Sequence, residues 1–472
     1  TDIRRRLRVA YYVEGSVRLI GDSLSVNVKL VDSDSGFQVT SRNFDEKIED
    51  FNRIQREITN VAVANLRIAL PDGAQSMLDS MYEEADLDAY ILYRRGKEIY
   101  EQPRTVESLA GAIELYRQAL TFDPGYAAAH AGLCSAYVEL YYERRSSNDI
   151  DEAETACADA LRSDSRLHMV FTALGNLYRD TGRVAEAEEA FENALAINAQ
   201  DVQAMVGLAA VYRQTQRFPE AEDLLTTAIS TQPGNWGVIN SYGGFLFFIG
   251  RYHEAAQQYR QVVSIDPENF TARSNLGAAL MLAAEFEEAR AVFEETLAVQ
   301  STQQTYTGLG VIYYFLGEFD KSVDSHRRAV ELAPLDALVW LNLADSLHFA
   351  GLADEAASAY QRALELSRNA LSVNPSAGEA MTTLAWSQYM LGNSVAALDA
   401  IDRGLRLDPG DPYTHYYDAL IRYQTGDDEA ALSSLAAALE RGYPPGLLVA
   451  EPHLGDIRSD ERFHSIIVDN IR

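Results

Sequence analysis

A repeat of 34 residues constrains this chain more than any other feature. Leu174-Gly175, Tyr178, Gly182, Ala187, Phe191 and Ala194 recur 34 positions later as Leu208-Ala209, Tyr212, Gln216, Ala221, Leu225 and Ala228. A further 34 residues give Tyr242-Gly243, Leu246, Gly250, Ala255, Tyr259 and Val262. The register continues through Gly277, Ala289 and Phe293, then Gly310, Tyr313, Gly317 and Ala329, then Ala344, Gly351, Ala356 and Tyr360. It closes with Ala385, Gly392 and Ala397, followed by Ala419, Gly426, Ala431 and Ala438. Upstream, Gly96, Ala112 and Ala119 form one copy, with a longer loop near Gln102–Thr105. Cys134, Tyr137, Ala153 and Ala160 form another, with an insertion at Glu143–Asn148. The count is ten copies, from about Ala89 to Pro445. A fixed period of this size means one supersecondary unit stacked on itself, because a single unit cannot bury its own apolar face.

The spacing predicts two amphipathic helices per unit, joined by a turn at a glycine such as Gly182, Gly250, Gly317, Gly351, Gly392 or Gly426. A small residue on the first helix and an alanine twelve positions later let two backbones approach. The aromatic four residues after that alanine (Phe191, Tyr259, Phe293, Tyr360) fills space against a neighbouring helix. Prolines such as Pro233, Pro267, Pro334 and Pro409 stop the second helix and force the chain into the next unit.

These residues resemble the tetratricopeptide repeat over about three quarters of the chain. The resemblance implies a mainly α fold, a right-handed superhelical solenoid of about ten helix pairs with a concave inner face. It also implies a protein that binds proteins or peptides and is not itself catalytic. Departures are Ser322 at an alanine position, Ser301 and Arg368 where proline is usual, and seven extra residues before Pro375. An irregular superhelix is expected at that insertion.

The first 70 residues read differently. Val9–Leu19 and Leu24–Val31, separated by Gly21-Asp22, and Phe37–Phe44 after a Ser33–Gly36 turn are expected strands, and Ile48–Ile68 has helical periodicity. Tyr12–Arg18 with Val28–Asp32 and Gly36 resembles the second half of the TolB amino-terminal-like domain, which precedes tetratricopeptide arrays in bacterial signalling proteins, some with adenylate cyclase, kinase or winged-helix outputs. Half of such a domain would leave a sheet edge unpaired, a route to a homodimer. The plan is therefore a partial TolB-like α+β module at 1–70, a linker at 71–88, ten repeats at 89–445 and a capping segment at 446–472. Within the last, Leu454–Phe463 resembles the closing segment of such arrays.

Charge narrows the partners. The 70 acidic residues outnumber the 40 basic ones, giving −30, and residues 1–85 carry only 14 acidic against 11 basic. The excess thus lies on the repeats, where it is expected on the outer helices. A nucleic-acid partner is not expected, since phosphate neutralisation needs clustered Lys and Arg. No apolar run approaches the ~18 residues of a membrane span. The first residue is Thr1, so an upstream domain or span is allowed. Cytoplasmic placement is the simplest expectation, with the periplasm as the alternative if a span precedes Thr1.

No phosphate loop, HExxH, CxxC or GxSxG occurs, so no enzyme, cofactor or metal is expected. Cys134 and Cys157 should both face the interior of one repeat, and are read as buried thiols, with a disulfide or metal site as the alternatives. The candidate site is the inner stripe of the first helices, at positions three before, one after and four after the small residue. There, Phe247, Tyr314, Trp386, Tyr389, Tyr416 and Tyr423, with neighbouring Phe315 and Phe349, suit a groove for an extended peptide. Asn176, Arg179 and Arg213 are polar residues on the same stripe that could hold a carboxylate. The plainer account is core packing for the rings and solvation for the polar residues. Three functions follow: a non-catalytic scaffold in the docking or sensory part of a bacterial signalling protein, a substrate-presenting region of an upstream transferase or other enzyme, or a self-assembling structural unit.

Overall fold

The computed structural model describes residues 11–20, 23–32, 35–47, 54, 57–58, 86–101, 105–144, 146–164 and 168–470. It divides into two compact units, residues 1–231 and 232–472. Most of the expected helix at Ile48–Ile68 and most of the linker at 71–88 lie outside the described residues.

Unit 1 begins with an antiparallel meander of β1 (Tyr11–Ile20), β2 (Ser23–Asp32) and β3 (Gln38–Lys47), in that order across the sheet. Tyr12 opposes Val31 and Val26 opposes Phe44. The alternation of β2 puts Leu24 and Val26 on one face, buried with Phe44 and Ile54. Among the described residues β1 pairs only with β2, and its Val13, Val17 and Ile20 are exposed.

Among the described residues of unit 1, four helix pairs follow: α1 (Leu87–Tyr100) with α2 (Val106–Phe122), α3 (Ala127–Arg144) with α4 (Ser147–Ser163), α5 (His168–Asp180) with α6 (Val184–Ile197), and α7 (Val202–Gln214) with α8 (Phe218–Thr231). Unit 2 holds six: α9 (Trp236–Phe248) with α10 (Tyr252–Ile265), α11 (Phe270–Leu282) with α12 (Phe286–Val299), α13 (Gln303–Phe315) with α14 (Phe319–Leu332), α15 (Ala337–Phe349) with α16 (Ala353–Val373), α17 (Gly378–Met390) with α18 (Ser394–Leu407), and α19 (Pro412–Gln424) with α20 (Asp428–Glu440). A short α21 (Pro445–Ala450), a 3-10 stretch (Pro452–Ser459) and α22 (Glu461–Asn470) end the chain.

The packing explains the period. Where a second helix carries a ring at this slot, as at Tyr116, Phe191 and Phe293, the ring sits between two first helices that each present a glycine at the contact. A Cβ on Gly96 or Gly132 would stand 2.8 Å from the Tyr116 ring, and one on Gly277 or Gly308 would stand 2.6 or 2.8 Å from Phe293. The turn glycines have positive φ, as at Gly250 (80°) and Gly426 (87°), where a side chain would strain the backbone. Gln216 and Ala284 hold the same conformation at φ 60° without being glycine.

Two expectations are corrected. The seven extra residues before Pro375 do not disrupt the array: α16 is 21 residues long where its counterparts have 14, and seven residues are close to two helical turns, so the same face stays buried. Cys134 and Cys157 are a disulfide, not thiols. Facing slots on α3 and α4 bring their Cα atoms to 5.2 Å, well inside the reach of the bond.

Candidate functional site

In unit 1 the polar stripe residues are already engaged or half-buried. Arg179 donates from Nε and a terminal nitrogen to both oxygens of Asp180, at 2.9 and 3.2 Å. Asn176 and Arg213 are half-buried on α5 and α7. Nearby, the guanidinium of Arg217 lies 3.8 Å from the Tyr212 ring centroid and that of Arg183 4.1 Å from Tyr178. Arg179, Arg183 and Arg217 thus already engage carboxylates or rings of the chain itself.

Unit 2 differs. The segment from Tyr443 to Asp456 lies on the first helices, and seven of the eight expected groove aromatics meet it or its immediate neighbours. His453 packs edge-on against Phe349 (4.6 Å) and Trp386 (4.8 Å). Tyr443 stacks on Tyr416 at 4.6 Å. Tyr314 bridges Phe315 and Phe349 at 5.4 and 5.6 Å, and Tyr389 stacks on Trp386 at 5.5 Å. The Tyr423 hydroxyl accepts from the Asp456 amide at 3.1 Å, and Gln424 Nε2 donates to the His453 carbonyl at 2.7 Å. Phe247 stands apart, edge-on to Tyr252 at 5.4 Å. The surface expected as an open groove is therefore covered here by the chain's own residues, and Trp386 is 0% exposed. The C-terminal segment does more than cap the last pair: Gly446 lies directly against Ala284, beside α11.

At the centre is a carboxylate that sequence reasoning missed. Glu451, 1% exposed, accepts from the hydroxyls of Tyr314 (2.8 Å) and Tyr416 (2.6 Å) and from the His453 amide (3.0 Å). Asp345 accepts from the Tyr360 hydroxyl (2.5 Å) and Trp386 Nε1 (3.0 Å), with His453 Nε2 at 3.6 Å. Acidic residues thus also enter the inner face, beyond the outer helices to which the charge was assigned. Burial first, then the charge of Glu451, lifts Tyr314 and Tyr416 well above the ordinary phenol range, so both remain neutral donors. Burial opposes a charge on His453, but Asp345 outweighs it and raises this imidazole. Asp345 was findable, since it follows Ala344 on the stripe itself. Nothing in the pattern pointed to Glu451, 106 positions further on.

One more departure is polar. Ser322, His326 and Ser346 replace the usual alanine, ring and neighbour, with His326 Nδ1 2.9 Å from Ser346 Oγ and the Ser322 hydroxyl donating to the Gly310 carbonyl at 2.7 Å. Burial pushes His326 down to about 4, so it is neutral near pH 7.

Models described as "Tetratricopeptide repeat" match residues 172–235, 250–310, 303–334 and 335–409. The chain is a tetratricopeptide-repeat protein. Such proteins are in general non-catalytic scaffolds that bind protein or peptide partners. Among the described residues, no group of three or more His, Cys, Asp or Glu could hold a metal ion. Nor is any helix among them long and apolar enough to cross a membrane.

A putative adenylate cyclase 3 of Rhizobium meliloti is 33% identical over 131 residues, 28% of this chain and 22% of the cyclase. The peroxisomal targeting signal receptor of Candida albicans is 42% identical over 59 residues, 12% of this chain and 10% of the receptor. The chain thus spans between a tenth and about a fifth of the length of these curated relatives. Among solved structures, the human IFIT1 dimer with m7Gppp-AAAA aligns at TM-score 0.44 and 14% identity over 72% of this chain and 88% of that one. Pseudomonas aeruginosa PilF aligns at TM-score 0.37 and 20% identity over 45% and 93%.

Proposed function

We propose that the tetratricopeptide-repeat protein is a scaffold that holds a protein or extended peptide against the inner faces of its first helices. On this reading it is the docking or sensory region of a larger bacterial signalling protein. The observation that supports the reading is the segment Tyr443–Asp456, a stretch of this chain held on the first helices of unit 2 by tyrosine hydroxyls, stacked rings and one amide side chain. Support for the signalling context is the likeness to part of the putative adenylate cyclase 3 and the TolB-like pattern in the first strands. The inner-face residues Asn176, Arg179, Arg213 and Phe247 are the proposed contacts beyond the self-covered patch.

A photo-crosslinking residue at Phe248, 58% exposed on α9, is expected to capture a discrete partner in cells, whereas one at the exposed Val299 ending α12 is not. Equal capture at both positions, or none at either, sinks the reading. Among the described residues β1 is paired along one edge only, and this, with its exposed Val13 and Val17, favours self-pairing as a second mode. Light scattering should then show a dimer that a Val13→Lys, Val17→Lys variant loses; a monomer at every concentration removes that mode. The disulfide favours the periplasmic alternative, because such bonds persist in oxidising compartments. Alkylation of the protein in intact cells, before any oxidation on lysis, reports whether the pair exists there.

A further inference from the structure

Between α11–α19 and the returning segment lies a cavity of about 660 Å³, all within unit 2. Its size suits a small molecule. Its wall includes the rings of Tyr314, Tyr413, Tyr416, Tyr417 and Tyr443, which present electron-rich faces. It also includes five carboxylates and no lysine or arginine. Asp345 and Glu451 receive hydrogen bonds from hydroxyl, indole and amide donors, and the His453 imidazole faces Asp345 with Nε2 at 3.6 Å. A buried carboxylate without a counter-ion is costly, so the wall is short of positive charge.

A second observation marks the interior as incomplete. His326 also lines this cavity, is 1% exposed, and has no hydrogen-bond partner at Nε2. A metal ion does not answer the deficit. No metal-holding group occurs among the described residues, and hard cations take shells of oxygen rather than aromatic faces. A cation with an apolar body answers it, since rings and carboxylates attract the charge while the apolar part displaces water.

We propose that this cavity binds a small organic cation, a primary amine or a quaternary ammonium compound, between the tyrosine rings and the carboxylates of Glu379, Asp345 and Glu451. The site is distinct from the peptide surface proposed above and stands or falls without it. Bound ligand would touch both the first helices and the returning segment, and so hold them together.

Calorimetric titration of the full chain near neutral pH with choline and with putrescine tests this, with 3,3-dimethylbutan-1-ol as the uncharged isostere of choline. One cation at least should bind at a single site, and the isostere should not. Glu379→Gln, at an exposed carboxylate of the lining, and Tyr413→Ala, at a partly exposed ring, should each weaken binding about fivefold to tenfold. Both should keep the melting temperature of the unliganded protein. No heat from either cation up to about 10 mM overturns the proposal. So does equal binding of the isostere, or an affinity unchanged in both variants. A lysine-containing peptide that binds where the free amines do not overturns the small-molecule assignment.

Discussion

The two units repeat one architecture but finish their inner faces differently. Unit 1 stacks four pairs among its described residues, engages Arg179 with Asp180 and Arg217 with the Tyr212 ring, and carries the disulfide on α3 and α4. Unit 2 stacks six pairs, lines the first helices with aromatics, and lays its own C-terminal segment on them. A tetratricopeptide pair fixes backbone spacing through its ring-and-glycine contact and leaves the inner positions to local use. In unit 2 those positions have become core. All three tryptophans (Trp236, Trp340 and Trp386) belong to unit 2, so indole fluorescence reports on unit 2 alone while circular dichroism reports on both.

The largest effect should come from removing residues 443–472. Leu448 and Leu454 are fully buried, and Leu447, Ile457 and Phe463 nearly so. Their burial amounts to on the order of 10 kcal/mol, comparable to the whole stability of a domain. Trp386 should become solvated, with a red-shifted emission maximum, while the helical signal of unit 1 survives. An unchanged emission maximum would show that the segment is an ornament and that the two units do not differ as described. Next in size is Phe191→Ala in unit 1, which empties the slot between Gly175 and Gly207 at a cost of about 3–5 kcal/mol. The dichroism transition should move to lower denaturant while the tryptophan transition stays in place. If the tryptophan transition moves with it, the units do not unfold separately and the comparison breaks.

The legible part of the molecule is the part with a period. Gly175, Ala187 and Phe191 announce a close helix contact because sterics act between residues a fixed distance apart. The same logic reads ten pairs and the strand alternation of Ser25–Leu30. The inner aromatics were found for the same reason. What covers them was not, because contact between Tyr314 and Glu451 depends on where a non-repeating segment returns after 137 residues, and no spacing rule reaches that far. The cysteine slots were read correctly and their chemistry was not. Slot geometry gives proximity, whereas pairing also requires two Cβ vectors to converge, which only coordinates reveal.

The disulfide sharpens the contrast at intermediate size. Closing a loop with a sequence separation of 23 should stabilise unit 1 by about 3 kcal/mol through the unfolded chain. Reduction, or Cys134→Ala with Cys157→Ala, should lower the dichroism midpoint and leave the tryptophan transition unmoved. Denatured but unreduced protein should show no free thiol. Two titratable thiols under those conditions would restore the reading of a pair of small buried hydrophobes.

The smallest effect separates the units by pH. His326 is held neutral by burial, with its pKa pushed down to about 4 from 6.5, and it lies in unit 2. The unfolded chain therefore binds a proton that the folded chain resists, and the stability this group contributes above pH 6.5 is lost as pH falls towards 4. At pH 5 the loss is about 2 kcal/mol for a shift of this size. His348, also lowered, chiefly by burial, acts in the same sense. His453, raised by Asp345 against burial, acts in the opposite sense but in the window above 6.5, where its extra stability is lost as pH rises. The variant that isolates the first term is His326→Phe, since Phe191 and Phe293 fill the equivalent slots. The hydroxyls of Ser322 and Ser346 keep their carbonyl acceptors, Gly310 and Asn342. Urea midpoints followed by tryptophan emission at pH 7.5 and 5 should converge in the variant relative to the wild type. An acid loss equally large in both would assign it to the carboxylates instead, and would leave the polar slot of α14 without a part in the difference between the units.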